Sequence, residues 1–211
     1  MVAAMAAAVG QPMECESVTF DGYSLEDHWN RGAGTTGGSG AETARHAIAR
    51  GGWSFVVLQQ GPSALPESRV LLIDYARRFD AEIRRVGARP ALYMVWPTTA
   101  RRFDFDGVKT SYEAAAKAIG GLFLPAGEAW RRAWQIDSRL ALYEPDGLHP
   151  TVSGTYLAAL VITERLTGKS IANVPATVTA SNPATRVVIR AAEASALKRA
   201  AAEPSIAGGP Y

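Results

Sequence analysis

Phe55-Val56-Val57-Leu58, bounded by Trp53-Ser54 on one side and Gln59-Gln60-Gly61 on the other, is an unbroken apolar run. It is too short for a helix and has no polar alternation. It therefore predicts a strand over residues 53–59, covered on both faces as in a parallel sheet. The flanking segments fit that role. Residues 67–86 follow a helical period and stop at Gly87. Residues 91–96 form the next apolar run, closed by Pro97, and residues 108–119 are helical again. A short strand over 121–124 and a helix over 126–134 come next. Upstream, residues 1–9 read as a helix ended by Gly10 and Pro12. Residues 14–20 read as a strand broken by Asp21-Gly22-Tyr23-Ser24, residues 32–40 as a Gly- and Thr-rich loop, and residues 41–50 as a short helix. Near the C-terminus, helices are expected over 151–167, stopped by Gly168, and over 185–202. Strands alternating with helices predict a three-layer α/β/α fold around a parallel sheet. No internal repeat is visible. One domain is expected over 1–202, with a loose tail over 203–211.

Composition narrows the class of protein. The chain has 211 residues, enough for a sizeable core, with 47% hydrophobic and 20% charged residues. A net charge of +2 and scattered Arg doublets argue against a nucleic-acid groove, so no nucleic-acid partner is expected. Cys15 is the sole cysteine, which excludes an intrachain disulfide and a thiolate metal site. Its place in the expected strand 14–20 predicts an inert, buried thiol. No apolar run is long enough to span a bilayer. The Ala-rich start lacks the basic region of a signal peptide, and a packed helix is the expectation there.

In a parallel α/β sheet the ligand site lies beyond the carboxyl ends of the strands. Three segments fall there: Gly22, the Gln59-Gln60-Gly61 turn, and Asp146-Gly147-Leu148-His149-Pro150. The last carries the chemistry. An Asp three residues before a His, on a loop opening a helix, suits a carboxylate that orients one imidazole nitrogen while the other serves as general base. The bland alternative is a turn-forming Asp146 and a helix-capping His149. Gly22 allows a positive φ, and its N–H is an oxyanion-binding candidate. Gln59 and Gln60 are candidates for a side-chain oxyanion donor. Successive strand side chains point to opposite faces, so only one of them is expected to face the site. Ser63 is a weaker candidate. Ser24 sits in a strand-turn-serine context like a nucleophile elbow, but Glu26 stands where the elbow needs a second glycine. Ser24 is therefore a weak nucleophile candidate. Glu26, Asp27 and His28 are too close in sequence to converge on one ion, and no metal is expected.

On these residues the chain resembles the SGNH hydrolases, also called GDSL-type esterases, and within them a bacterial branch. The resemblance rests on Gly22-Tyr23-Ser24-Leu25-Glu26-Asp27-His28-Trp29, Val56-Val57-Leu58-Gln59 and Asp146-Gly147-Leu148-His149-Pro150, and runs to about Gly168. It implies a flavodoxin-like α/β/α domain and hydrolysis of acyl esters, lipase-like substrates or O-acetyl carbohydrate included. It implies no metal or organic cofactor. His149 would be the base, Asp146 its orienting carboxylate, and Gly22 a backbone oxyanion donor.

Two departures qualify that expectation. The family's Gly-x-Asn-Asp segment falls where this chain has Gly61-Pro62-Ser63-Ala64, so the Asn is replaced and Gln59 or Gln60 would have to substitute for it. The family also opens with a central strand ending in Gly-Asp-Ser or Gly-Asn-Ser, whereas this chain reads as beginning inside the helix that follows. The expectation is a truncated sequence whose nucleophile is encoded upstream of Met1, inactive as written. Upstream DNA with no in-frame Gly-x-Ser strand would remove it. A non-catalytic glycan- or acyl-binding protein and an esterase using Ser24 are the alternatives. The compartment follows the same fork: cytoplasmic as written, secreted if an upstream signal peptide exists.

Overall fold

A computed structural model of the protein describes residues 1–31, 43–181 and 184–202. The loop expected over 32–40 and the tail expected over 203–211 lie outside the described residues. The chain gathers into two compact units. Among the described residues, one comprises those of Glu16–Val95 and Phe103–Phe123; the other comprises Met1–Cys15, Trp96–Arg102 and those of 124–202.

The first unit holds the parallel sheet. Its strands are β1 (Phe55–Leu58), β2 (Arg89–Tyr93) and β3 (Leu122–Leu124), in spatial order β1-β2-β3. β1 and β2 run parallel, with Phe55 opposite Arg89 and Leu58 opposite Leu92. In β2, Pro90, Ala91 and Leu92 are buried, as a strand covered on both faces requires. β1 departs from its expected burial. It is an edge strand, and only Leu58 is fully buried, while Val57 is 38% exposed. The reason is its position, since an apolar run is covered on both sides only when neighbours flank it.

Residues 14–20, expected to be a strand, form none. Their alternation suits a strand, but a strand exists only where a ladder partner accepts its N–H and C=O groups. Cys15 is exposed, which corrects its expected burial.

Helix α2 (Leu25–Asn30) and helix α3 (Ala44–Ala49) both pack on α4 (Pro66–Arg85). α4 places Pro66 at its first turn, where the missing N–H costs nothing. Leu72, Tyr75, Ala76, Phe79 and Ile83 form its buried face at helical spacing. Gly87, at φ +77°, turns the chain into β2. Helix α5 (Phe105–Ala118) packs on α4 and β2.

The second unit is helical with one hairpin. Helix α1 (Val2–Ala8) packs on α7 (Val152–Thr167), and α6 (Ala126–Ile136) packs on both α7 and α8 (Ala191–Ala202). The expected helix over 185–202 is corrected in its first part. β4 (Thr177–Ser181) and β5 (Ala184–Val188) make an antiparallel hairpin, with Val178 opposite Val187, and the helix starts only at Ala191. Val187, Val188 and Ile189 are β-branched and lose side-chain freedom in a helix, so the hairpin is the better use of them. Among the described residues no helix is long and apolar enough to cross a membrane.

Candidate active site

The loop before α7 belongs to the second unit. Asp146 occupies a local turn in which its Oδ1 accepts the backbone N–H groups of Leu148 at 2.9 Å and His149 at 3.0 Å. Its Oδ2 lies 2.5 Å from His149 Nδ1. One carboxylate therefore shapes the loop and holds the imidazole together. The ring hydrogen bond, followed by the two N–H donors, lowers the Asp146 carboxyl to about 2. Asp146 is thus an anion across the physiological range, and Nδ1–H donating to Oδ2 is the tautomer it favours. Nε2 then carries the lone pair needed for proton abstraction. The His149 side chain is 70% exposed and the Asp146 side chain 49%, so hydrogen bonding rather than burial sets this geometry.

The loop backbone is pinned as firmly. Gly147 has φ +70°, and a Cβ there would lie 2.2 Å from Thr99 Oγ1, so any side chain would be strained and would displace Thr99. The carbonyls of Gly147, Leu148 and His149 each accept a hydrogen bond. The donors are Thr99 N–H at 2.8 Å, the Trp96 indole N–H at 3.2 Å and Glu144 N–H at 2.8 Å. Thr151 caps α7, its Oγ1 accepting from Gly154 N–H at 3.1 Å. At Gly154 a Cβ would meet Leu142 O at 2.5 Å and Trp130 Cζ2 at 2.6 Å, so the first turn of α7 sits directly on the layer beneath.

That layer is aromatic. Trp96 stacks on Trp130 at 3.7 Å and 11°, and Tyr143 meets Trp130 edge-on at 4.9 Å. Arg102 lies 4.4 Å over the Trp134 ring. The Tyr143 hydroxyl donates to the Pro97 carbonyl, and burial pushes its pKa up to about 12, so it stays a donor. Thr99, Tyr143 and Gly154 were not singled out as site residues from the sequence, whereas Trp96 was weighed as pocket lining. The Trp96-Pro97 pair closing a strand was the available signal, but such a pair is ordinary strand-end core by default.

The remaining candidates belong to the first unit. Gly22 is exposed at φ +73°, in a turn closed by the Tyr23 N–H on the Phe20 carbonyl. Gln60 is buried and fully engaged: its Oε1 accepts from Leu25 N–H at 2.8 Å, and its Nε2 donates to Ser63 Oγ at 2.7 Å. Gln59 is exposed, its Nε2 donating to the Gln60 carbonyl at 2.8 Å. Ser63 takes an unusual φ of +54° for a residue with a side chain, and the Gln60 amide holds it there.

Ser24 is the N-cap of α2 in a capping box. Its Oγ donates to Asp27 Oδ2 at 2.7 Å and accepts from Asp27 N–H at 3.2 Å, and its own N–H donates to the same carboxylate. Glu26 accepts from the Tyr75 hydroxyl at 2.9 Å, and Asp27 pairs with Arg31 at 3.1 Å. His28 is buried against the Phe20 and Tyr23 rings, which lowers its pKa by desolvation. These three consecutive polar residues thus face three different surroundings.

Neither a family model nor a curated protein matches the sequence. Solved structures do resemble it. A DUF4886 family protein from Bacteroides uniformis ATCC 8492 superposes with a TM-score of 0.76 at 19% identity, over 95% of this chain and 86% of that one. A proposed SGNH hydrolase from Slackia heliotrinireducens gives a TM-score of 0.59 at 24% identity, over 77% of this chain and 88% of that one. At such identities the likeness carries the fold: a mixed α/β protein with a parallel three-stranded sheet, related in architecture to an SGNH hydrolase.

Proposed function

We propose that the protein is a serine-type ester hydrolase of the SGNH kind, acting on acyl esters or O-acetyl carbohydrate, with His149 as its base. The contact that carries this reading is Asp146 Oδ2 to His149 Nδ1 at 2.5 Å, made by a carboxylate held ionised by its donors. In the first step His149 Nε2 takes the proton of a serine hydroxyl as its oxygen bonds to the ester carbonyl carbon. The imidazolium then gives that proton to the departing alcohol oxygen as the ester C–O bond breaks. Water repeats the sequence on the acyl-serine and frees the acid.

The proposed nucleophile is a serine hydroxyl whose proton passes to His149 Nε2. A second reading, a glycan or acyl binder without turnover, draws support from Ser24. Its hydroxyl serves Asp27 and the start of α2 rather than an imidazole.

Fluorophosphonate labelling with peptide mapping separates the readings. The chain as it stands is expected to remain unlabelled. The same chain carrying a Gly-x-Ser strand ahead of α1 is expected to label on that serine, and to lose the label in His149→Ala. Labelling of Ser24 in the present chain would transfer the nucleophile role there. Binding of an acetylated glycan with no labelling of either form would favour the second reading.

A further inference from the structure

We propose that Trp96 is a positioning residue for His149, a role that rests on His149 and Asp146 being the catalytic base and its partner. The observation is how two consecutive peptide planes are held. A trans peptide is planar, and its C=O and N–H point in opposite directions. In the plane joining Gly147 to Leu148, the carbonyl accepts from Thr99 N–H and the amide donates to Asp146 Oδ1. In the plane joining Leu148 to His149, the carbonyl accepts from the Trp96 indole at 3.2 Å and the amide donates to the same Oδ1 at 3.0 Å. Each plane is therefore fixed at both ends, with Asp146 on one side and the 96–99 segment on the other.

The second plane leads directly into the His149 Cα, so its tilt sets where the imidazole points. The donor to its carbonyl is a side chain, whereas Thr99 and Glu144 donate to the neighbouring carbonyls from backbone. The indole itself has little freedom: Trp96 is 8% exposed and lies flat on the fully buried Trp130. It transmits the rigidity of the core to a dyad that is itself open to solvent.

The test uses ¹⁵N and ¹H spectra of the His149 ring. In the wild-type chain the Nδ1–H tautomer is expected to dominate, with a downfield Nδ1 proton marking the bond to Asp146. An unrestrained imidazole prefers its proton on Nε2, so release of the ring shifts the tautomer ratio. Trp96→Phe keeps a stacked ring and removes the N–H, and loss of one such hydrogen bond is expected to lower the Nδ1–H to Nε2–H ratio about fivefold. A replacement of Trp96 by its benzothiophene isostere, with sulfur in place of the indole N–H, gives the same readout if the phenylalanine variant does not fold. Asp146→Asn defines complete loss of the contact. A folded variant with the wild-type ratio overturns the role of Trp96 while leaving the dyad intact. A wild-type ring already carrying its proton on Nε2 overturns the dyad, and the positioning role with it.

Discussion

The loop 144–150 and the turn 59–63 both follow an apolar stretch and both carry polar side chains, yet they use them in opposite ways. In the turn, every polar group of Gln60 is consumed internally. Its amide bridges Leu25 N–H and Ser63, while its backbone N–H and carbonyl meet the buried Tyr112 hydroxyl, whose pKa burial raises. In the loop, the backbone is equally well satisfied, but Asp146 and His149 remain substantially exposed and charged or chargeable. A buried amide without partners is costly, so the turn is built for stability. A solvent-facing charged hydrogen bond contributes little to stability, so the Asp146–His149 contact is not what holds this region together.

The sharpest break between the two regions is Asp146→Asn. Asparagine keeps an acceptor for the Leu148 and His149 amides but presents an N–H₂ or a weak acceptor to Nδ1, disfavouring the required tautomer. In the serine-bearing form, kcat is expected to fall by roughly 10³–10⁴, while the thermal midpoint barely moves. A large drop in midpoint would make Asp146 a structural residue.

Gln60→Leu should do the reverse. It leaves the buried Leu25 N–H without its acceptor and takes the amide donor from the half-buried Ser63 hydroxyl, at about 2 kcal/mol, or roughly 6 °C in thermal midpoint. An unchanged midpoint by calorimetry would mean the network is dispensable.

Ser24→Ala removes the α2 cap. A loss of about 1 kcal/mol is expected, seen as a lower denaturant midpoint with unchanged m-value. Fluorophosphonate labelling of the serine-bearing form should be untouched. Lost labelling would instead make Ser24 a participant.

The smallest effect is in acid. Asp146 is depressed to about 2 when folded, against about 3.9 in an unfolded chain. Its contribution is therefore fully present above the unfolded value and fades as pH falls through the folded one. The carboxyl carbon of Asp146 should titrate with a midpoint near that low value. A midpoint in the ordinary carboxylate range would show that the His149 contact is not populated.

Legibility in the sequence followed the range of the contacts. The Asp146-to-His149 spacing was readable because its turn is closed within three residues. α4 was readable because its buried stripe repeats within one helix. The expected strand over 14–20 failed because alternation describes a capacity to pair and cannot supply the partner. β5 was taken for the start of a helix although Val187 and Val188 already signalled strand, and its partner β4 went unread although Thr177, Val178 and Thr179 carry the same signal. Which glutamine was engaged could not be decided locally, since Gln60 answers to Leu25, 35 residues away. The grip of Trp96 on Leu148 spans 52 residues.

The amino-acid order by itself determined the strands and helices from 55 to 134, the helix ends marked by Gly87 and Gly168, and the pairing of a carboxylate with an imidazole on one short loop. These depend on neighbours within a few residues, where backbone geometry leaves few choices. Only the tertiary structure decided that β1 stands at an edge, that Gln60 is spent on architecture, and that an indole grips the carbonyl before His149. Each of those depends on groups far apart in sequence, brought together by burial of the cores that carry them.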